Sequence, residues 1–155
     1  MASELASETV SRASASSDRP VTLVDSSVLL DILTEDPVWL EWSSESLIRA
    51  TDEGRLVTNP IIYAEVSTCF ARIEDLDAAV PADDLEREPL PYPAGFVAAK
   101  AFLTYRQRGG QRRSPLPDFY IGAHAAVCGY RLLTRDEARY RTYFPTVPLI
   151  APRKD

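Results

Sequence analysis

The sequence predicts an α/β fold, an α/β/α sandwich around a mostly parallel central sheet of four or five short strands. Three observations predict it. Short apolar runs without breakers, at 21–25, 55–58 and 130–134, alternate with longer stretches of helical periodicity. The runs show little polar alternation, as suits strands covered on both faces. Two of them lead into a carboxylate and then a helix start, the end of an open α/β sheet at which ligands bind.

The first 20 residues, MASELASETVSRASASSDRP, offer little to bury, so a disordered tail is expected, with the folded domain spanning 21–155. They lack the apolar core of a signal peptide, which argues against export. VTLVD, with Asp25 at its end, is the first strand, and Ser26 or Ser27 is expected to cap the helix SSVLLDIL. Asp31 on that helix reads as solvated or structural. Pro37 is expected to open a second helix, PVWLEWSSESLIRATDEG, closed near Gly54. Trp39 and Trp42 share one face of it; core packing is the expectation, an apolar groove for a partner the alternative.

RLVTN is the second strand. Pro60 starts a helix, PIIYAEVSTCFARI, whose buried side is read as Ile61, Ile62, Val66, Cys69, Phe70 and Ile73. Glu65 sits inside that apolar stripe and needs a partner there. Residues 74–93 carry four prolines and many acids, and read as short helices and turns with surface carboxylates. PAGFVAAKAFLTYRQRGG is a helix ending at Gly109–Gly110, and RQRGGQRRSP gathers Arg106, Arg108, Arg112 and Arg113 in a loop suited to phosphates. PLPDFYIGAHAAVCG follows as a helix with Asp118 in its first turn, by itself a dipole-stabilising position, and Gly129 as its stop. YRLLT, then Arg135 and Asp136, repeats the pattern at Asp25, and TVPLI reads as a short edge strand.

Composition bounds the function. With 155 residues, 45% apolar and 26% charged, the chain matches one ordinary soluble domain, and no apolar run approaches a membrane span. Cys69 and Cys128 both fall in apolar helical patterns and read as buried free thiols in a reducing compartment, which points to the cytoplasm. The net charge of −6 argues against a nucleic-acid partner until its distribution is considered. Of the 17 basic residues 15 are arginine, and eight of those lie between Arg106 and Arg141, which suits cations held in one place and phosphates in another.

Four carboxylates stand out: Asp25 and Asp136 after strands, Glu65 in an apolar helix, Asp118 opening a helix. Brought together they would repel, and a divalent cation neutralises them most simply. Oxygen donors without a cysteine or histidine cluster favour Mg²⁺ or Mn²⁺ over zinc. Such ions promote hydrolysis of phosphodiesters.

The ordered set VTLVDSSVLLDIL, NPIIYAEVS and PLPDFYIGAHAAVCGYRLLTRDEARYRTYFP resembles the segments of PIN-domain ribonucleases, in particular the small toxins of the VapC type, over Val21–Ile150. The resemblance implies that Asp25, Glu65, Asp118 and Asp136 hold Mg²⁺ or Mn²⁺ and position water for in-line attack on RNA, leaving a 5′-phosphate and a 3′-hydroxyl. It implies supporting roles for Ser26 and Thr134, a homodimer, and a cognate antitoxin that covers the site, with Trp39 and Trp42 as candidates for its docking surface. Arg112, Arg113 and Arg135 are the candidates for RNA phosphate contacts. The N-terminal tail is longer than is usual in these toxins. His124 is expected to be a satisfied helix histidine.

Rival chemistries fare worse. A metal-free ribonuclease wants a general acid and base, and the chain has one histidine. A phosphoacceptor domain would place a lysine at a late strand end, yet the lysines are Lys100 and Lys154. No Gly-rich phosphate loop is present. A catalytically silent PIN-like module that binds RNA or protein is the rival from another class.

Overall fold

The computed structural model describes residues 18–154. The tail expected over residues 1–20 lies, as far as residue 17, outside the described residues. Five strands, β1 (Val21–Val24), β2 (Arg55–Thr58), β3 (Glu86–Arg87), β4 (Arg131–Leu133) and β5 (Leu149–Ile150), form one sheet in the order β3-β2-β1-β4-β5. Every pairing is parallel. β1 is central: Thr22 lies opposite Leu56 on one side and Arg131 on the other, and Val24 lies opposite Leu133. Leu23, Val24, Val57, Leu132 and Leu133 have no exposed surface, which is why these strands read as unbroken apolar runs.

Seven helices connect the strands: α1 (Ser26–Leu33), α2 (Leu40–Glu53), α3 (Pro60–Ser67), α4 (Ile73–Ala79), α5 (Tyr92–Gln107), α6 (Pro117–Cys128) and α7 (Ala138–Tyr143). From β1 the chain steps outward to β2 and β3, then crosses back to β4 and β5. With right-handed crossovers, α1 to α4 cover one face and α5 to α7 the other. The packing agrees, α1 lying against α2 and α3, and α5 against α6 and α7. The reversal of direction falls between β1 and β4, so a crevice opens beyond the carboxyl ends of those two strands.

Phe119, fully buried on α6, is the hub of the second face. Tyr143, Tyr105, Phe102 and Phe144 have ring centroids 5.3, 5.6, 6.3 and 6.5 Å from it. Gly122, one turn on, has no side chain because the Phe144 ring fills the place of a β-carbon. Gly129 ends α6 in the left-handed region (φ 68°), and the Tyr130 N–H returns to the Ala125 carbonyl, so the chain turns straight into β4.

Several expectations are corrected. Neither Ser26 nor Ser27 caps α1; Asp25 occupies that position without a side-chain cap, and both hydroxyls point into the site instead. The second helix starts at Leu40 and not at Pro37, because Asp36 Oδ1 accepts from the Val38 and Trp39 N–H groups and closes a separate turn first. The stripe read as one helix from Pro60 to Ile73 is broken after Ser67. The Ser67 and Thr68 hydroxyls donate to the Tyr63 and Glu65 carbonyls there, Cys69 is exposed, and Ile73, 61% exposed, opens α4. Cys128 is half-buried. The acidic segment expected to hold only helices and turns contributes β3, a two-residue edge that exists by pairing with β2 and not by its own propensity. Among the described residues no helix is long and apolar enough to cross a membrane.

Candidate active site

The central strand delivers Asp25 to the crevice. Its backbone N–H still pairs with the Leu133 carbonyl (2.9 Å), so β4 holds it one residue past the end of β1, and it is 4% exposed. Its Oδ2 accepts from Thr134 Oγ1 at 2.8 Å and from Ser27 Oγ at 3.0 Å. Each hydroxyl also accepts from the turn after β4: Thr134 Oγ1 from the Asp136 N–H within its own turn (3.1 Å), Ser27 Oγ from the Arg135 N–H across the crevice (3.1 Å). Two small hydroxyls thus stitch the turn after β1 to the turn after β4 through one carboxylate.

Glu65 reaches the same place from α3, where Ser26 Oγ donates to its Oε1 at 3.2 Å. Asp118, in the first turn of α6, is held at both oxygens: Tyr140 OH donates to Oδ1 (3.4 Å) and Arg139 Nη1 to Oδ2 (3.2 Å). Burial and then the Asp118 charge push Asp25 above the usual carboxylate range, against the Thr134 and Ser27 hydrogen bonds. Glu65 is raised by burial and by Asp25 and Asp118. The Tyr140 phenol, fully buried, is raised well above its ordinary value by burial and by the charges of Asp25, Asp118 and Glu65. Three acids from three elements therefore share one electrostatic field.

Asp136 stands apart. It is 69% exposed and lines, with Asp118, Tyr105, Arg139 and Tyr143, an open cleft of about 490 Å³ beside the buried acids. Arg112 and Arg113 are exposed in the loop before α6, and Arg106 Nη1 donates to the Arg112 carbonyl at 2.8 Å. Arg135 is already engaged. Its Nε and Nη2 donate to the two oxygens of Asp31 (2.9 and 3.0 Å), and it lies 5.5 Å from the Trp39 ring centroid. Asp31, 2% exposed and also bonded to Ser43 Oγ, is thus structural. Trp39 and Trp42 are half-buried, edge to face at 6.2 Å, with Trp42 against the core.

The sequence reading missed Tyr140, Arg139 and Ser27. Only spacing could have signalled the first two: they lie one helical turn beyond Asp136, on the face that returns to the acids. It also took Glu88 for a surface acid. Glu88 is half-buried and accepts from Tyr130 OH (2.8 Å) and from His124 Nε2 (3.3 Å).

Glu88, His124 and Cys128 bring ligand atoms within 4.8 Å of one another, the one group of metal-ligating type that close among the described residues. Its hydrogen bonds argue against a cation. Asn59 Oδ1 accepts from the Ile62 N–H, so its amide faces His124 Nδ1 at 3.0 Å and that nitrogen must accept. The ring proton is then on Nε2, aimed at Glu88. A metal there would force the proton onto Nδ1, against another donor. Burial lowers the His124 pKa and keeps the ring neutral. The buried His124 on α6 is thus a strut between Glu88, after β3, and Asn59, the cap of α3.

The family model described as PIN domain matches residues 22–145. The fold is similar to that in the structure of VapBC2 from Rickettsia felis bound to a DNA fragment from their promoter (TM-score 0.66, 14% identity, 86% of this chain and 99% of that chain). It is also similar to VapBC-1 from nontypeable Haemophilus influenzae (0.65, 15%, 84% and 97%). A third likeness is to VapBC-5 from Mycobacterium tuberculosis, a member of the VapBC family of toxin-antitoxin systems (0.51, 19%, 86% and 98%). At these identities the likeness is one of fold. No curated protein sequence matches the chain.

Proposed function

Because the chain belongs to the PIN domain family, we propose that it is a metal-dependent endoribonuclease and the toxin of a toxin–antitoxin pair. The observation that carries the reading is the gathering of Asp25, Glu65 and Asp118, with burial and mutual charge raising Asp25 and Glu65. Carboxylates that resist ionisation together suit a divalent cation, and an all-oxygen donor set suits Mg²⁺ or Mn²⁺. Asp25, Glu65 and Asp118 would hold it, with Asp136 contributing from the rim. A cation so held supplies charge neutralisation at a phosphodiester oxygen and an acidified water.

The chain's own residues do the rest. Thr134 and Ser27 fix the Asp25 carboxylate, and Ser26 aims Glu65. Tyr140 and Arg139 orient Asp118 by bonding one oxygen each. Arg112 and Arg113, exposed and beside the cleft-lining helix, supply phosphate contacts. Arg135 serves by anchoring the loop that carries Asp136. In-line attack by water leaves a 5′-phosphate and a 3′-hydroxyl.

The folded domain is taken as 21–155, working in the cytoplasm. An antitoxin partner is supported by the toxin–antitoxin likeness and by exposed Val38 next to Trp39. A homodimer is supported by exposed Phe96 and Leu103 on α5. Incubation of total RNA with Mg²⁺, Mn²⁺ or EDTA tests the activity. Discrete fragments are expected that need metal and vanish with Asp25→Asn while the fold persists; equal cleavage by that variant would overturn the assignment.

A further inference from the structure

We infer that the cleft between α5 and α7 is a base-binding subsite, in which an unpaired nucleobase of a single-stranded RNA stacks on the ring of Tyr143. The inference rests on the nuclease reading of the acids and adds what that reading lacks, a seat for the nucleotide beside the bond to be cut.

The cleft is lined by two acids, Asp118 and Asp136, and by two rings, Tyr105 and Tyr143. Its volume of about 490 Å³ lies within the range of about 300–1,000 Å³ usual for small-molecule sites. Tyr143 is braced at its edges, 5.3 Å from Phe119 and 6.3 Å from Tyr105, both at steep angles (66° and 68°). Its face carries the Arg108 guanidinium, 5.6 Å from the ring centroid. A flat cation thus already lies over one face of the ring, which is open to a planar group. Arg108 is exposed and precedes Gly109 (φ 90°), so the arginine can lift off the ring and pair with the phosphate of the incoming nucleotide.

Charge balance points the same way. With a net charge of −6, phosphate attraction is confined to the local arginines, and a stacked base adds affinity that they do not supply. A ring face recognises a base only when its own face is free, which a duplex denies and a single strand offers.

The test measures binding of a 5′-labelled single-stranded RNA octanucleotide pool by anisotropy, in Mg²⁺, with full-chain Asp25→Asn protein so that nothing is cut. Loss of one stacked base corresponds to about 5- to 150-fold in affinity. Tyr143→Leu, which refills the space against Phe119 without an aromatic face, is expected to lose that much, and Tyr143→Phe to bind as the parent does. An abasic pool should bind the parent as weakly as it binds Tyr143→Leu. Equal binding of the base-bearing pool by the Leu variant and the parent, or of abasic and base-bearing pools by the parent, overturns the subsite. Total-RNA cleavage by the wild type separates the two readings. Cleavage with no effect of Tyr143→Leu on binding removes the subsite alone; neither cleavage nor binding removes the nuclease, and the subsite with it.

Discussion

Replacing Asn59 with alanine removes two bonds at once from a position that is 2% exposed. The Oδ1 cap on the Ile62 N–H (2.9 Å) goes, at about 0.5–2 kcal/mol. The donor to His124 Nδ1 (3.0 Å) goes too, stranding a buried acceptor at about 1–3 kcal/mol. The sum centres on about 3 kcal/mol, or about 6–12 °C in melting temperature for a chain of this size. Thermal and urea unfolding of the Asn59→Ala protein reads it. Asn59→Asp separates the two bonds, since it keeps a cap acceptor but sets an oxygen against Nδ1, so that His124 takes a second proton. The chain has one histidine, and a long-range ¹H–¹⁵N spectrum therefore reports this ring alone. Wild-type protein should show a neutral ring protonated at Nε2, unchanged by added zinc, and the Asp variant a doubly protonated ring near neutral pH. A proton on Nδ1 in the wild type, or an alanine variant melting within about 2 °C of it, would refute the reasoning.

Two further outcomes follow from the site. Asp25 and Glu65 are both raised, so between their ordinary and folded values the folded state holds more protons, and stability is lost as pH rises. In EDTA, melting temperature followed from acid to neutral pH should therefore fall less in Asp25→Asn than in the wild type. The lowered groups Asp36, Asp77, Glu86 and Glu137 act in the opposite sense but are common to both proteins and cancel in the difference; parallel curves would contradict the shared field. Arg135→Ala leaves Asp31 buried with Ser43 as its remaining partner. Because Arg135 keeps 27% of its side chain exposed, the cost belongs at the low end of about 3–5 kcal/mol, and urea unfolding giving under about 1 kcal/mol would show that solvent already screens the pair.

What the sequence made legible was local chemistry with a single outcome. β1, β2 and β4 were readable because parallel strands buried on both faces leave nothing polar to confuse them with other structure. Asp25, Glu65 and Asp118 were each noticeable from their immediate neighbours. Features decided by partners far along the chain were not readable. β3 consists of Glu86 and Arg87, residues of poor strand propensity that pair because β2 is beside them. The break after Ser67 and the late start of α2 are local, but they turn on competing side-chain bonds that composition does not decide: hydroxyls turning back onto carbonyls in one, Asp36 capturing two amides in the other. Arg135 looked free for phosphate because its partner Asp31 stands 104 residues earlier. Tyr140 looked like one aromatic residue among several, since its contact with Asp118 exists only once α7 folds back against α6.

The placement of β1 between β2 and β4 has a consequence in time. Asp25 is complete only when Thr134, 109 residues later, donates to it. At about 5–20 residues per second, roughly 5–20 s of synthesis separate the two. Until then the growing chain can pair β1 with β2 but leaves the other side of β1 open; Asp118 precedes Thr134, and its Arg139 and Tyr140 supports follow it. Helices α1 to α4 can form early; the acidic field cannot. A chain made on a ribosome, in constant company with RNA, thus carries these carboxylates as scattered pieces until the segment after β4 has emerged.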